Sequence, residues 1–335
     1  MAKEEIQEQL NALKEQGKVV YSISRLNTFN SCEYCYHLTY NLKLPQVQNP
    51  YAVLGGEIHD CLEGIYNGVK SEEDLKATLD NGLLKCELFD IRFPSENIKD
   101  NWVKDMKHFV TNFKKLDGEF ITEKGFIYEL EGILIQGFID AIVTVNNETK
   151  VLDWKTSSTF TGDKLRDAGR QLVLYKTAIE SLEGINVTKS GWDMLKYVEV
   201  CYNGRTKICS RRNWVKDISK MIATDLKRLK VDPLIAGMYI EQALLNNNLD
   251  GMPDEIKSKY QIRDCIVYYD ITEERVQECN SYIINTVNKI ESKDKNNDDD
   301  WKHTEINGKT LFFCQQLCGQ RENCKFLKQH LDNAI

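Results

Sequence analysis

The chain has 335 residues, of which 41% are hydrophobic and 28% are charged, and its formal net charge is −7 at pH 7. This composition is typical of a globular protein and excludes a collagen-like or disordered chain. No apolar run is long enough to span a bilayer, and residues 1–6 are charged and lack the apolar core of a secretory signal. An odd number of cysteines, 11, argues against a disulfide framework, so we expect a cytoplasmic, reducing environment.

Hydrophobic periodicity predicts the elements in chain order. Helices are expected first, at residues 4–15, 57–67, 72–89 and 97–116. Strands follow at 133–145 and 150–154, joined by a hairpin-type turn at 146–149. Later elements are expected as helices at 163–182, 213–228 and 272–291 and a strand at 264–269.

These elements predict four regions. Residues 1–120 form a mostly helical N-terminal region, and residues 121–292 form an α/β core with basic helices. The charged segment 293–300 has almost no hydrophobic residues and is expected to be a solvated linker. A cysteine-bearing tail, 301–335, follows it.

The two central strands carry the residues with the clearest chemistry. Side chains alternate along a strand, so Asp153 and Lys155 share one face, and Asp140 lies on the preceding strand. Carboxylates are the ligands that Mg²⁺ and Mn²⁺ prefer, and such an ion polarises a phosphate and activates a water molecule. Lys155 is suited to neutralise charge on the phosphate. The simpler alternative is a strand-end aspartate beside a solvated Asp153–Lys155 ion pair.

On the next helix, Gln171 and Tyr175 are four residues apart, so they share a face that can turn toward these strands. With them, the order of short motifs resembles the RecB-type nucleases of the PD-(D/E)XK superfamily. Within that superfamily it resembles the iron–sulfur exonucleases of CRISPR-associated and helicase–nuclease systems. The motifs, in chain order, are SRLNTFNSC at 24–32, GGEIH at 55–59, Asp140, Asp153 with Lys155, and Gln171 with Tyr175.

The resemblance implies an α/β fold with a PD-(D/E)XK restriction-endonuclease-like core, in which helices flank a mixed central sheet. It implies a metal-dependent DNA exonuclease that acts from ends on single-stranded DNA. The implied Mg²⁺ or Mn²⁺ ligands are His59, Asp140 and Asp153. The implied catalytic residues are Lys155, Gln171 and Tyr175. A structure-dependent endonuclease and a non-catalytic DNA-binding or scaffold subunit of a recombination or repair complex stay open as alternatives.

Five cysteines form a second group. Cys314, Cys318 and Cys324 lie close together in the C-terminal tail. In the family that the chain resembles, an N-terminal cysteine, matched here by Cys32, completes four thiolate ligands of a [4Fe–4S] cluster. Cys35 forms with Cys32 a C-x-x-C pair of the spacing that zinc sites use, so a Cys₄ zinc site stays open as an alternative.

Positive charge is concentrated in residues 155–230, which hold 16 Lys and Arg against 8 Asp and Glu. Arg170, Arg211 and Arg212 are therefore expected to contact DNA phosphates, with an ordinary solvated surface as the alternative. Residues 308–310, Gly-Lys-Thr, resemble the end of a phosphate-binding loop, but the glycine that this loop requires is His303. Any helicase or recombination partner is therefore expected to be a separate subunit, and no membrane partner is expected.

Overall fold

A mixed sheet forms the centre of the computed structural model, which describes residues 3–333. Its strands, in chain order, are β1 (Val20–Tyr21), β2 (Glu119–Leu130), β3 (Ile133–Val145), β4 (Glu148–Lys155), β5 (Val187–Tyr202), β6 (Arg205–Ser210) and β7 (Tyr260–Tyr269). The order across the sheet is β1-β3-β4-β5-β6, with β2 paired to β3 and β7 paired to β5. The pairs β1–β3 and β4–β5 are parallel and the others are antiparallel.

Helices cover both faces of the sheet, which confirms the expected fold class of a mixed central sheet flanked by helices. They are, in chain order, α1 (Lys3–Glu15), α2 (Ile23–Ser31), α3 (Glu33–Tyr36), α4 (Pro50–Tyr66), α5 (Asp74–Leu88), α6 (Glu96–Asn112), α7 (Asp163–Glu183), α8 (Trp214–Arg228), α9 (Pro233–Asn246), α10 (Asp254–Lys257), α11 (Glu273–Glu291) and α12 (Lys325–Asp332). None of the helices within residues 3–333 is long and apolar enough to cross a membrane.

Tight turns set the register of the central strands. Asn146 and Asn147 join β3 to β4 with φ angles of 51° and 65°, and Asn203 and Gly204 join β5 to β6 with φ angles of 47° and 72°. Positive φ at both central residues is the pattern of the turns that match the twist of a hairpin. The first turn fixes the pairing of β3 with β4, on which the expected site depends.

The alternation of side chains along β4 separates two parts of the core. Leu152 and Trp154 pack into a cluster with α4, α5 and α6, whereas Val151 packs into a cluster with α7 and α11. Successive residues of a strand point to opposite faces, so Asp153 lies on the face that α7 covers. The apolar residues of β4 thereby hold its two charged residues in place.

The acidic segment 293–300, expected to be a solvated linker, is mostly exposed and contacts the body of the protein at a few points. Its Asp298 lies 3.1 Å from His37 Nε2 and 3.1 Å from Lys325 Nζ. The adjacent Trp301 is buried, and its Nε1–H donates to the carbonyl oxygen of Asp294 at 2.9 Å. Ion pairs and one buried tryptophan therefore attach this segment to the body of the protein, which low hydrophobicity alone did not predict.

Candidate active site

Asp140 and Asp153 meet at the end of the β3–β4 ladder. Ala141 pairs with Leu152, and the next position on each strand is one of the two aspartates. Asp140 Oδ2 accepts a hydrogen bond from the backbone N–H of Trp154 at 2.7 Å. Both aspartates are buried, so the strand pairing brings two carboxylates together away from bulk water.

Lys155 is the charged neighbour of Asp153. Its Nζ lies 2.5 Å from Asp153 Oδ2, an oxygen that has no hydrogen bond of good geometry in the described part of the chain. Burial raises the pKa of Asp153 to about 6, although Lys155 opposes this shift. Burial also works against the charge of Lys155, but the Asp153 carboxylate outweighs it and raises the lysine pKa. Lys155 is therefore cationic at neutral pH.

Gln171 and Tyr175 of α7 hold the lysine from the other side. Lys155 Nζ donates to Gln171 Oε1 at 3.2 Å, and Gln171 Nε2 donates to Tyr175 Oη at 2.7 Å. Burial raises the pKa of Tyr175 well above its usual range, so its phenol stays neutral. Because Tyr175 is buried, its part in this chain of hydrogen bonds is to orient Gln171.

His59, on α4, reaches the same place from the other side of the sheet. Its Nδ1 lies 3.5 Å from Asp140 Oδ2, and its ring packs edge-on against Trp154. Burial lowers the pKa of His59, but the hydrogen bond and charge of Asp140 outweigh it, so the net shift is upward. The six residues expected to act together thus share one site.

Glu123, on β2, also belongs to this site, and the sequence analysis missed it. The ligand atoms of His59, Glu123 and Asp140 all lie within 4.8 Å of one another. Asp153 lies beside this group and is paired with Lys155 instead. No motif marks Glu123, but β2 and β3 form a hairpin through the turn at Glu131 and Gly132, and that turn is the signal that could have placed Glu123 opposite Asp140.

A divalent cation fits this donor set. An ion with oxygen and nitrogen ligands at about 2.1 Å places ligands on opposite sides about 4.2 Å apart. The ligand atoms of His59, Glu123 and Asp140 lie within 4.8 Å of one another, which is close enough for one ion to reach all three. The buried Asp153 Oδ2, which lacks a hydrogen bond, is a further oxygen that a cation would satisfy.

The five cysteines of the second group line one cavity of about 700 Å³ between the N-terminal helices and the C-terminal tail. Cys35 Sγ lies 3.7 Å from Cys318 Sγ, and Cys32 Sγ accepts a hydrogen bond from the backbone N–H of Cys35. The hydrogen bond from Cys35 lowers the pKa of Cys318 to about 7, against the effect of burial. Cys35 therefore lies with Cys32, Cys314, Cys318 and Cys324, and the fold brings all five thiols together.

Arg170 does not lie on an open surface. Its guanidinium makes a bidentate contact with Glu278 of α11, with Nη2 2.6 Å from Oε1 and Nε 3.2 Å from Oε2. It also lies 3.8 Å from the ring centre of Tyr282. A phosphate contact would require these internal contacts to break.

Arg211 and Arg212 also make contacts within the protein. Arg211 is buried, forms an ion pair with Asp264, and donates to the carbonyl oxygen of Leu195 at 2.7 Å. Arg212 Nη1 lies 2.9 Å from Asp105 Oδ2. The positive charge that the sequence concentrates here is thus balanced by acidic residues from distant parts of the chain.

Comparison with known proteins finds one matching family and two proteins that are similar to part of this chain. Residues 20–316 match the family described as the PD-(D/E)XK nuclease superfamily. The "Gene 69 protein" of Mycobacterium phage D29 is 39% identical over 148 residues, which are 43% of this chain and 46% of that protein. The "Gene 69 protein" of Mycobacterium phage L5 is 31% identical over 136 residues, 38% of this chain and 43% of that protein. The chain therefore spans less than half the length of these curated relatives.

Among solved structures, the chain is similar to a "putative exonuclease" from Eubacterium rectale. The two share 12% sequence identity with a TM-score of 0.37, over 81% of this chain and 96% of that one.

Proposed function

This chain belongs to the PD-(D/E)XK nuclease superfamily, and from that premise we propose that it is a metal-dependent deoxyribonuclease. The observation that carries the proposal is the connected series Asp153, Lys155 and Gln171 beside the buried Asp140, with a possible cation donor set at His59. Two buried carboxylates, a lysine kept cationic and a histidine form the set that phosphodiester hydrolysis requires.

Each side chain has a role that follows from its contacts. Asp140 and Asp153, with His59, are the proposed ligands of Mg²⁺ or Mn²⁺. When bound, such an ion supplies Lewis acidity and a water molecule of lowered pKa. Lys155 places a positive charge where negative charge builds on the phosphate, and Gln171 holds its ammonium group in position. Asp153 is buried and the Lys155 side chain is 24% exposed, so bulk water screens this charge only in part.

We further propose single-stranded DNA with free ends as the substrate, and a separate helicase or recombination subunit as a partner in the cytoplasm. The order of the motifs supports this, because it is the order of the iron–sulfur exonucleases. A structure-dependent endonuclease and a non-catalytic DNA-binding subunit are the competing functions. If the chain only bound DNA, catalysis would not require the hydrogen bonds that join Lys155, Gln171 and Tyr175.

We also propose that Cys32, Cys314, Cys318 and Cys324 hold a [4Fe–4S] cluster. A tetrahedral zinc site with Zn–S bonds of about 2.3 Å needs sulfurs about 3.8 Å apart. Over residues 3–333, no three cysteine sulfurs all lie within 4.8 Å of one another. The 3.7 Å between Cys35 Sγ and Cys318 Sγ matches the zinc spacing, whereas the absence of a third sulfur that close in the described chain and the cavity of about 700 Å³ favour a larger centre. Zinc remains the competing occupant, with Cys35 as a ligand.

The nuclease proposal is tested with end-labelled linear DNA and circular single-stranded DNA, each incubated with Mn²⁺ and with a chelator. We expect metal-dependent release of nucleotides from linear DNA only, and Lys155→Met should lower the rate by about 10²- to 10³-fold. Lys150→Met, on the same strand but outside the site, is the matched control and should cleave like wild type.

Two results would change this proposal. Cleavage of the circular strand would replace the exonuclease with an endonuclease. Retention of more than about a tenth of the wild-type rate by the Lys155 variant would place the chemistry elsewhere, since the loss of one charge-stabilising donor costs far more.

A further inference from the structure

Glu123 has an unusual backbone conformation in the middle of a strand. Its φ angle is 48°, in the left-handed region that costs residues other than glycine on the order of 1 kcal/mol or more. The flanking residues Thr122 and Lys124 pair regularly with Ala141 and Ile139, but the ladder is interrupted between them, where Glu123 faces Asp140. A strained residue opposite a proposed metal ligand points to a functional reason for the strain.

The side chain of Glu123 is aimed into the site. Its carboxylate lies within 4.8 Å of ligand atoms of both His59 and Asp140, and the side chain is 13% exposed. These three residues come from β2, α4 and β3, so three separate elements converge on one point. That convergence matches the donor set of a single cation.

Lys3, at the start of α1, lies against the same carboxylate. Its Nζ is 3.4 Å from Glu123 Oε2 and 2.8 Å from Glu63 Oε2. Helix α1 can lie this close to β2 because residue 125 is a glycine. A Cβ atom at Gly125 would stand 2.6 Å from Ile6 Cγ1, so a larger residue would force Ile6 or the helix to move. The close packing of α1 on β2 thus brings Lys3 within reach of Glu123.

We propose that Glu123 is a metal ligand together with His59 and Asp140, and that Lys3 competes with the metal ion for its carboxylate. The inference rests on the proposed function, which supplies the metal ion. A cation that binds Glu123 Oε2 replaces the ammonium group of Lys3, which lies 3.4 Å from that oxygen. Helix α1 therefore sets the metal affinity of the site.

The test measures Mn²⁺ binding to the full chain by calorimetry, without any DNA. Lys3→Met should bind Mn²⁺ about fivefold more tightly, the size expected for release of one partly exposed ion pair. Glu123→Gln should bind it at least about tenfold more weakly. In the double variant, the affinity should equal that of Glu123→Gln within about twofold, because Lys3 acts through Glu123. Lys14→Met, on the exposed face of α1, is the control and should leave the Mn²⁺ affinity unchanged.

Glu123→Gly separates ligand loss from damage to the fold. Glycine adopts a φ of 48° without strain, so this variant should melt at a higher temperature than wild type while losing as much Mn²⁺ affinity as Glu123→Gln. Unchanged Mn²⁺ affinity in either Glu123 variant would overturn the inference and leave the proposed nuclease standing. A Lys3→Met effect that persists without Glu123 would also overturn it. Wild type that binds no Mn²⁺ would overturn both proposals.

Discussion

At the scale of single residues, two buried aspartates outside the candidate site have opposite surroundings. Asp193 Oδ1 has no hydrogen-bond partner within residues 3–333, and burial raises the pKa of Asp193 to about 7. Burial acts on Asp225 in the same direction, but hydrogen bonds from Tyr260 and Tyr202, each at 3.0 Å, lower its pKa. The pair offers a direct test of how burial and hydrogen bonds compete.

We predict that Asp193→Asn is more stable than wild type at pH 8, and that the difference is lost at low pH. In the unfolded chain Asp193 releases its proton near pH 4, whereas in the folded protein it does so near pH 7. Between those values the unfolded state binds fewer protons, so the free energy of unfolding falls as the pH rises, by roughly 4 kcal/mol. Urea unfolding at a series of pH values measures this.

Asp225→Asn is the matched control, and we expect it to change the free energy of unfolding in the opposite direction. A lowered pKa stabilises the folded state above the ordinary pKa of an aspartate, so this variant should be less stable than wild type at neutral pH. Equal pH profiles for wild type and Asp193→Asn would mean that Asp193 is ionised normally in the folded protein.

The candidate site shows which residues a sequence can identify. Asp153 and Lys155 share a face because of strand alternation, and Gln171 and Tyr175 share one because of helical spacing. Periodicity predicts each pair, whereas only the resemblance in motif order joins the two pairs and His59 into one expected site. Glu123 was missed because neither kind of periodicity links it to Asp140. Its role depends on strand pairing and on a left-handed backbone, which are properties of the folded chain.

At the scale of elements, Arg170 joins α7 to α11 through Glu278 and Tyr282. We predict that Arg170→Ala lowers the free energy of unfolding by about 2 kcal/mol, less than a fully buried pair because Glu278 is partly exposed. The salt dependence of DNA binding should not change. Chemical denaturation and DNA-binding titrations at several salt concentrations measure the two effects.

Arg166, one turn earlier on α7, is the control because its side chain is 56% exposed. Arg166→Ala should leave the stability unchanged. If Arg170→Ala instead kept its stability and reduced the salt slope by about 0.7 to 0.9, the residue would contact a phosphate directly. The sequence showed the local excess of positive charge correctly, but the acidic partners of these arginines come from distant segments, so their pairing could not be predicted.

Element boundaries were predictable where local patterns were strong. The strand 133–145 and the helix that begins at residue 163 were predicted to within about one residue, because each has a clear period and a clear turn beside it. Helix α9 was not predicted. Apolar residues lie on all sides of this helix, so no single apolar stripe marks it in the sequence. Two of them, Leu234 and Leu245, are largely exposed.

At the scale of the whole molecule, the cysteine cavity connects the two ends of the described chain. Cys35 and Cys318 are 283 positions apart, and an inorganic centre there would close a loop of most of the protein. We predict that protein purified without oxygen is brown and contains iron and sulfide. Cys318→Ser should be colourless and melt at least about 5 °C lower, because a bound centre stabilises only the folded state.

Two further variants identify the centre. Cys201→Ser, which lies outside the cavity, should keep the colour and the melting temperature. Cys35→Ser should keep the colour if four other thiolates hold iron, and should lose the bound metal if zinc uses the Cys32–Cys35 pair. Colourless protein with one equivalent of zinc would reject the iron–sulfur centre.

The distance between these thiols along the chain has a consequence for biosynthesis. A ribosome adds about 5 to 20 residues per second, so Cys318 emerges about 15 to 60 s after Cys35. In the second half of that interval the nascent chain contains every side chain of the candidate active site, while its first two thiols still have no partners from the tail. The proposed centre can therefore be loaded only after translation reaches the tail, and its assembly would require Cys32 and Cys35 to stay reduced until then.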